Sequence, residues 1–232
     1  MLCGEANLVT TTFASIEETI EELRAGRMIV LVDDEYRENE GDLAMAAELV
    51  TPDAVNFMVT HGRGLVCLAL TAEKCDQLAL SPMTSENSSR FGTAFTVSVE
   101  ARSGVSTGIS AQDRAHTILT ATRPDAKPDD LVRPGHVFPL RSRSGGTLVR
   151  AGQTEGIVDL CRLADLQSAG VICEVMNPDG TMARLPQLRE FAAQHDIKVC
   201  SVAQIIEHRR RTERLVEAFS CAKMPTRWGD FR

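Results

Sequence analysis

The stretch Asp33-Asp34-Glu35-Tyr36-Arg37-Glu38-Asn39-Glu40-Gly41-Asp42 directly follows the most apolar run of the chain, Met28-Ile29-Val30-Leu31-Val32. The apolar run predicts a buried strand, and a loop at the end of such a strand is a common place for a functional site. Six of the ten residues of this acidic loop are acidic. Arg37 lies among them, and a guanidinium can hold a carboxylate or a phosphate in a fixed fork. Gly41 predicts a tight turn that brings Asp42 back towards Glu38.

Three explanations of the acidic loop can be compared. A solvated cluster of charges is the ordinary explanation, but it does not explain why Arg37 lies among the acidic residues directly after a buried strand. A calcium-binding loop is excluded, because Gly41 as its sixth position would make Tyr36 the first ligand and Ala47 the twelfth. A site for magnesium or for a polyhydroxyl compound fits best, since Mg²⁺ takes one or two carboxylates together with substrate oxygens.

Composition sets broad limits on the function. The chain has 232 residues, 43% of them hydrophobic and 25% charged, which is ordinary for one globular domain. The net charge of −7 gives no reason to expect a nucleic acid or an anionic membrane as partner. No apolar run is long enough to span a membrane, and residues 1–15 do not resemble a signal peptide. The seven scattered cysteines indicate reduced thiols. We therefore expect a cytoplasmic protein, or one in the plastid stroma if a transit peptide has been removed.

Helix and strand patterns alternate along most of the chain. Helix starts are predicted at Ser15, Thr51, Ser110 and Ser201, where a capping residue precedes a run with helical spacing. This alternation predicts an α/β (α+β) fold, with one mixed, twisted sheet and helices on both of its faces in a single domain. Further expectations are strands at 93–100 and 147–149, a mobile loop at 81–92 and a solvated helix face at 208–211.

The segment Arg150-Ala151-Gly152-Gln153-Thr154 is a second candidate site. Gly152 beside a helix-capping Thr154 leaves backbone N–H groups free at a helix N-terminus, with Arg150 next to them. Such an end binds anions, and phosphate is its usual occupant. Together with the acidic loop, this segment predicts one subsite for an anion and another for a metal or hydroxyl groups.

Three single residues complete the candidates. Glu174 lies within an apolar strand, where a carboxylate is costly unless it is paired or functional. His136 follows Pro134-Gly135 in a segment that we expect to be irregular, and a structural histidine is its ordinary explanation. Thr107 lies in a loop of small residues that can reach a ligand.

Several motifs resemble those of the 3,4-dihydroxy-2-butanone 4-phosphate synthases of riboflavin biosynthesis, over about residues 14–210. The motifs are Asp33-Asp34-Glu35, Arg37 to Asp42, Arg133 to Leu140, Thr154-Glu155, Cys173-Glu174 and Gly180 to Arg184. Met224 to Phe231 resembles the opening of a cyclohydrolase II domain. The resemblance divides the chain into an N-terminal extension (1–13), a synthase domain (14–210), and a linker with the start of a truncated cyclohydrolase (211–232).

The resemblance implies an activity and a role for each candidate residue. The reaction would convert D-ribulose 5-phosphate into L-3,4-dihydroxy-2-butanone 4-phosphate and formate, with Mg²⁺ or Mn²⁺, in a homodimer with sites at the subunit interface. Glu38 and the residue at position 153 would bind the metal. Catalysis would involve Glu38, Asp42, His136 and Glu174. Substrate would contact Arg37, Glu38, Asp42, Arg150, Gly152, Gln153, Thr154 and Glu174. The position of Thr107 in its loop, and not the resemblance, adds Thr107 to the substrate contacts.

One departure from the family pattern keeps alternatives open. The family usually has histidine as the second metal ligand, where this chain has Gln153. A catalytically degenerate scaffold that supports a fused cyclohydrolase is therefore a second hypothesis. A third is a sugar-phosphate isomerase that stops at the enediol.

Overall fold

The structure, a computed structural model, describes residues 13–216 and 222–231. Within them, helices and strands alternate as expected. The helices are α1 (Ile16–Arg24), α2 (Pro52–Phe57), α3 (Ala72–Gln77), α4 (Ala111–Thr122), α5 (Gln153–Leu163), α6 (Leu185–His195) and α7 (Val202–Thr212). The strands are β1 (Ile29–Val32), β2 (Gly41–Ala46), β3 (Cys67–Leu70), β4 (Val99–Ala101), β5 (Leu131–Arg141), β6 (Ala169–Glu174), β7 (Lys198–Ser201), β8 (Met224–Thr226) and β9 (Gly229–Phe231).

The helix starts follow the capping residues in the sequence. Ser15 forms a full capping box with Glu18 at the start of α1. The Thr51 and Ser110 side chains accept from backbone N–H groups three residues later, at the starts of α2 and α4. Ser201 forms a second full capping box with Gln204 at the start of α7. These bonds satisfy N–H groups that the first turn of a helix leaves free, so all four predicted starts are confirmed.

The main sheet has seven strands in the order β4-β5-β3-β6-β2-β1-β7. The pairs β1–β7 and β3–β5 are parallel, and the other pairs are antiparallel. Strands β8 and β9 form a separate antiparallel pair. The prediction of a mixed sheet is confirmed.

Helices cover both faces of the main sheet. One face packs against α1, α5 and α7 through residues such as Leu23, Ile157 and Ile205. The opposite face packs against α2, α3, α4 and α6 through residues such as Val55 and Ile118. The first of these faces, which we call the α5 face, carries the candidate site.

The acidic loop connects two adjacent central strands. Strand β1 ends at Val32, which pairs with Gly41 at the start of β2. The loop is therefore the connection of an antiparallel hairpin, and every residue of both strands is buried. This rigid base positions the carboxylates of the loop.

The expected strand at 93–100 is wrong over most of its length. Regular pairing is confined to Val99–Ala101, while Phe95 and Thr96 form only isolated bridges with Leu140 and Pro82. The Thr96 N–H donates to the carbonyl of Pro139. Neither Pro82 nor Pro139 has an N–H to return, so a continuous ladder cannot form here.

The expected strand at 147–149 is also wrong, because residues 146–148 form a turn of 3₁₀-helix. Val149 has φ of −106° and ψ of −41°, a right-handed helical conformation and not an extended one. The Thr147 backbone N–H and hydroxyl both donate to Asp159 Oδ2 of α5, at 2.8 and 2.6 Å. These two bonds fix the turn against the helix.

Arg209 corrects the expectation of a solvated helix face at 208–211. Its side chain is 8% exposed and donates to Asp159 Oδ2 at 2.7 Å and to both carboxylate oxygens of Glu213 at 2.9 Å. The neighbouring Arg210 is exposed, as expected for a solvated face. The Arg209 hydrogen bonds, with those from Arg162, lower the pKa of Glu213 to about 2.

We expect Arg209→Met to destabilise the fold, towards the lower end of about 3–5 kcal/mol, because it removes the cation that is hydrogen-bonded to the buried Asp159 and leaves only Arg162 at 3.9 Å. Chemical denaturation at neutral pH measures this free energy of unfolding, and Arg210→Met, at the exposed neighbour, is the matched control. The Glu213 contribution is present above the unfolded pKa of about 4.3 and is lost as the pH falls towards its folded value. Equal stability of the two variants at neutral pH would contradict the assignment.

The state of the cysteines and the length of the helices bear on two further sequence expectations. The five described cysteines are free and buried, while Cys3 and Cys221 lie outside the described residues. None of the helices in the described part of the chain has the length and apolar character needed to cross a bilayer.

Candidate active site

Asp33 organises the acidic loop from inside. Its side chain is fully buried, and Oδ2 accepts from Arg37 Nη1 at 2.6 Å and from the Glu38 backbone N–H at 3.1 Å. Oδ1 accepts from the Glu40 backbone N–H at 3.0 Å. One carboxylate thus holds Arg37 and Glu38 in fixed positions, a role that sequence reasoning did not assign.

The turn within the loop is made by Asn39, not by Gly41. Asn39 has φ of 56°, in the left-handed region that asparagine tolerates. Gly41 is extended in β2, and a Cβ there would lie 2.5 Å from Leu188 Cδ1. A side chain here would have to displace Leu188 of α6, so Gly41 serves close packing and the predicted turn at Gly41 is wrong.

Arg184 fastens the outer side of the loop. Its Nη1 donates to the carbonyl of Glu38 at 2.9 Å and to the carbonyl of Asn39. Arg184 is also the N-cap residue of α6. The motif Gly180 to Arg184, which carried only a family resemblance, therefore ends in a side chain that holds the Glu38 backbone.

The N-terminus of α5 meets the acidic loop. Arg37 Nη1 donates to Gln153 Oε1 at 3.1 Å, and Gln153 Nε2 donates to the Glu40 carbonyl at 3.5 Å. The N-cap residue is Gly152, and Thr154 is a buried residue of the first turn. The prediction that Thr154 caps the helix is wrong, but Gly152 leaves the helix end open as an anion site requires.

Two guanidinium groups lie over Gly152. A Cβ at this position would lie 2.4 Å from Arg150 Nη1 and 2.9 Å from Arg37 Nη2. Arg37 Nη2 is 3.0 Å from Glu38 Oε1, but the contact lacks hydrogen-bond geometry, so this buried nitrogen has no hydrogen-bond partner in the described residues. A buried donor without a partner beside a helix N-terminus is suited to an anionic ligand.

Glu155 fixes Arg150. Its side chain is 1% exposed, with Oε2 2.6 Å from Arg150 Nη1 and Oε1 accepting from the Arg143 backbone N–H at 2.9 Å. The sequence placed Glu155 in a family motif but did not predict its contact with Arg150. The signal that was available is an acidic residue in the first turn of a helix with a largely apolar sequence.

The polar segment 81–92 reaches the same arginines through Phe91. The Phe91 carbonyl accepts from Arg150 at 3.4 Å, and Arg37 Cζ lies 5.4 Å from the centre of the Phe91 ring. Residues 83–90 are exposed. Phe91 brings the C-terminal end of the segment to the site, while the mobility of the segment stays a prediction.

Asp42 and Glu174 are directly opposite each other on β2 and β6. Asp42 is buried, and burial together with the negative charge of Glu174 raises its pKa well above the ordinary value. Glu174 is half-buried, and its Oε2 accepts from the Leu65 backbone N–H at 2.8 Å. Asp42 therefore holds a proton more readily than an ordinary aspartate does, beside a second carboxyl group.

His136 lies at the same end of the sheet, in strand β5, although the sequence predicted an irregular segment. Cys67 of β3 pairs with Phe138 of β5 on one side and with Ile172 of β6 on the other. His136 lies two residues before Phe138, and Glu174 lies two residues after Ile172. By strand alternation, His136 and Glu174 point to the α5 face. Proline is tolerated in β5 because the pairing of β4 with β5 shifts its register there.

The described contacts place His136 in a group separate from the acidic loop. His136 Nδ1 lies 2.8 Å from Glu100 Oε1, a partner that sequence reasoning missed. Thr107 is exposed in the loop that packs over Glu100. Within residues 13–216 and 222–231, no hydrogen bond joins this group to Arg37, Glu38 or Gln153.

Comparisons with known proteins agree on one family. The sequence model for 3,4-dihydroxy-2-butanone 4-phosphate synthase matches residues 17–208. The chain is 58% identical to the riboflavin biosynthesis protein RibBA of Aquifex aeolicus, over 95% of this chain and 55% of that protein. It is 54% identical to the 3,4-dihydroxy-2-butanone 4-phosphate synthase of Neisseria meningitidis serogroup B, over 94% of this chain and 60% of that protein. The chain thus spans a little over half the length of these relatives.

Solved structures show the same fold. The two-domain synthase RibBX of A. baumannii superposes with a TM-score of 0.88 at 47% identity, over 94% of this chain and 64% of that one. A 3,4-dihydroxy-2-butanone 4-phosphate synthase in complex with two magnesium ions gives a TM-score of 0.83 at 41% identity, over 87% of this chain and 99% of that one. The chain belongs to the 3,4-dihydroxy-2-butanone 4-phosphate synthase family.

Proposed function

We propose that this chain catalyses the Mg²⁺- or Mn²⁺-dependent conversion of D-ribulose 5-phosphate into L-3,4-dihydroxy-2-butanone 4-phosphate and formate, a step of riboflavin biosynthesis. The observation that carries the proposal is the position of Arg37, which joins the acidic loop to Gln153 and lies over Gly152 at the start of α5. An anion subsite and an oxygen-rich subsite are thereby brought together, as a polyhydroxylated phosphate ester requires.

The phosphate group is assigned to the N-terminus of α5. Arg37 and Arg150 supply two cations beside Gly152, and the open end of the helix supplies backbone N–H groups. Arg150 is held by Glu155, so little side-chain freedom is lost when the phosphate binds. Thr154 belongs to the same first turn. This subsite anchors the substrate with its sugar hydroxyls towards the acidic loop.

Glu38 and Gln153 would hold the metal. The described residues contain no cluster of three histidine, cysteine, aspartate or glutamate side chains with metal-binding geometry, so a metal here would rely on few protein ligands. Carboxylate and amide oxygens suit Mg²⁺, which keeps waters or substrate oxygens in its other positions. The Gln153 oxygen has a second lone pair besides the one that accepts from Arg37. When bound, the ion would supply Lewis-acid stabilisation of developing oxyanions.

The proton transfers are assigned to Asp42, Glu174 and His136. Forming an enediol, losing water and migrating carbon each require a proton to leave or join the substrate. Asp42, with its raised pKa, and its neighbour Glu174 can exchange a proton at the floor of the site. His136 is exposed at the same end of the sheet and supplies a third acid/base group. Thr107, in the neighbouring loop, would contact the substrate.

Gln153→His is expected to introduce a pH dependence into metal binding. A histidine ligand must lose its proton to bind metal, so affinity falls below its free pKa of about 6.5, whereas an amide has no such titration. Calorimetric Mg²⁺ titrations between about pH 5.5 and 8 bracket that pKa. The parent should show a flatter profile than the variant on the acid side. Identical profiles would show that residue 153 is not a ligand.

The assembly and compartment are part of the proposal. We infer a homodimer with sites at the subunit interface, in the cytoplasm, or in the plastid stroma for a processed chain. The names of two relatives from Arabidopsis thaliana include the word chloroplastic. Analytical sedimentation of the protein in solution measures whether it is a dimer. The assignment of 211–232 to a linker and the start of a cyclohydrolase domain stays a prediction.

The product of D-ribulose 5-phosphate turnover distinguishes the candidate functions. Formate release that depends on Mg²⁺ supports the synthase. An isomerised pentose phosphate without formate supports the isomerase hypothesis. The scaffold hypothesis rests on Gln153 alone, where the family usually has histidine, and the match to the synthase family over residues 17–208 does not favour it. That hypothesis predicts neither product. If the parent neither binds Mg²⁺ nor releases formate, and Gln153→His restores both, the scaffold hypothesis is correct.

A further inference from the structure

The contact between Glu100 and His136 resembles a carboxylate–histidine pair of an acid/base site. Glu100 Oε1 lies 2.8 Å from His136 Nδ1, and the side chains are 15% and 44% exposed. An ionised carboxylate only accepts hydrogen bonds, so Nδ1 carries the proton in this pair. In a neutral imidazole the lone pair is then on Nε2, which has no hydrogen-bond partner in the described part of the chain.

The backbone directs Glu100 towards His136. The register of β4 against β5 shifts between Val99 and Glu100, and such irregularities re-aim a side chain next to active sites. Gly108 covers the carboxylate with φ of 89°, and a Cβ at this position would lie 1.0 Å from Glu100 Oε1. Only glycine fits this close approach.

Asp113 in turn holds the covering loop. This buried side chain accepts from the Ser106 hydroxyl at 2.7 Å, from the Ser106 backbone N–H at 3.2 Å and from the Gly108 backbone N–H at 2.9 Å. The Glu100 carboxylate is therefore confined between a fixed loop and the imidazole. Such confinement is more than a surface ion pair needs.

We propose that Glu100 is the positioning residue of His136, and that it fixes both the ring orientation and the tautomer with a bare Nε2. This inference rests on the proposed catalytic role of His136. A substrate proton moves to Nε2, the imidazolium that forms is stabilised by the Glu100 carboxylate, and the same proton returns to an oxygen that leaves as water. Buried carboxylates orient catalytic histidines in this way in other enzymes.

Kinetics of formate release test whether Glu100 acts through His136. We expect Glu100→Ala to lower kcat about 100-fold, within the range of about 10²–10⁴ that a positioned acid/base group supplies, with KM changed less than about threefold. Glu100→Gln keeps the shape and an acceptor oxygen, so its loss should be smaller. In a His136→Gln background, Glu100→Ala should add less than about threefold, because residues that act as a unit are not additive. Glu17→Gln is the matched control, since Glu17 faces His208 Nδ1 at 3.8 Å, away from the site.

A spectroscopic readout separates this inference from the proposed reaction. Nitrogen-15 NMR of histidine-labelled protein at about pH 8, above the usual imidazole pKa of about 6.5, should show His136 protonated on Nδ1 in the parent and mixed tautomers in Glu100→Ala. Melting temperatures establish that each variant is folded. A bare Nδ1 in the parent, or an equal loss of kcat with and without His136, would overturn the inference. Full activity of His136→Gln would instead reject the role of His136 in the proposed function, and the tautomer would still report on the pair.

Discussion

Replacing Glu38 by glutamine is expected to lower formate release from D-ribulose 5-phosphate on the order of 10³-fold, with little effect on folding. A bound divalent cation supplies several kcal/mol of oxyanion stabilisation, and about 1.36 kcal/mol corresponds to a tenfold change in rate. The Glu38 side chain makes no hydrogen bond to Arg37 despite their 3.0 Å contact, and Arg37 stays paired with Asp33 when the Glu38 charge is removed. The Glu38 backbone stays fixed by Asp33 and Arg184, because neither contact uses the Glu38 side chain.

Mg²⁺ affinity and activity should fall together in Glu38→Gln. Calorimetric titration of Mg²⁺ and a formate assay on the same preparation measure the two quantities. Glu73→Gln, which removes an exposed carboxylate at the start of α3, is the control for a change in net charge. Unchanged Mg²⁺ affinity, or a collapse in melting temperature with normal specific activity in the remaining folded protein, would reject Glu38 as a ligand.

Asp42→Asn is expected to reduce activity and to stabilise the protein at neutral pH. The variant loses a group that exchanges protons, which costs about 10²–10⁴ in kcat. Asp42 is buried opposite Glu174, and burial together with that charge raises its pKa. A neutral amide of the same shape removes the cost of a buried carboxylate without changing the packing.

The direction of the pH effect follows from linkage. A carboxyl group with a raised folded pKa stabilises the fold below its unfolded pKa of about 3.9, and this contribution is lost as the pH rises through the folded value. Asp42→Asn should therefore melt above the parent at pH 7–8, by roughly 2–4 °C for about 1 kcal/mol in a domain of this size. The difference should shrink towards pH 4. Asp53→Asn, at an exposed aspartate in the first turn of α2, should not raise the melting temperature.

These melting temperatures must be measured with a chelator present, so that metal binding does not contribute to stability. A variant that melts below the parent at pH 7–8, with a difference that grows as the pH rises, would show that the Asp42 carboxylate is stabilising. That result would remove the argument for Asp42 as the proton-holding member of the pair.

Local signals made much of the fold predictable. The capping residues Ser15, Thr51, Ser110 and Ser201 fixed four helix starts, because a side chain that satisfies backbone N–H groups acts within one turn. The apolar run before the acidic loop identified β1, because an uninterrupted run of apolar residues is typical of a strand that is buried on both faces. Its antiparallel neighbour β2 follows directly in the chain, whereas its parallel neighbour β7 comes from a distant part of the sequence.

The failed predictions involve partners that are distant in sequence. The strand at 93–100 is interrupted by prolines at 82 and 139, and the turn at 146–148 is held by Asp159 of α5. Arg209 is buried by the same Asp159. The local pattern of each segment is compatible with its predicted state, so only the tertiary contact decides.

The residues of the candidate site were also predicted only in part. Arg37, Glu38 and Gln153 were predicted to act together from two separate motifs, and the structure joins them within hydrogen-bond or ion-pair distance. Glu100 and Asp33 were missed as functional residues, because each acts by holding another side chain. The sequence does not show which side chain a carboxylate will contact, so a carboxylate that only positions another residue gives no signal of its own.

The fate of one substrate carbon shows whether the protein releases formate or only isomerises the pentose. D-ribulose 5-phosphate labelled with carbon-13 at C4 is incubated with the protein, with Mg²⁺ or with a chelator, and the products are followed by NMR. A synthase releases labelled formate in equal amount to the four-carbon phosphate when Mg²⁺ is present, and none with the chelator. Label that stays in a five-carbon phosphate in the presence of Mg²⁺, whether isomerised or unchanged, would contradict the proposed synthase activity.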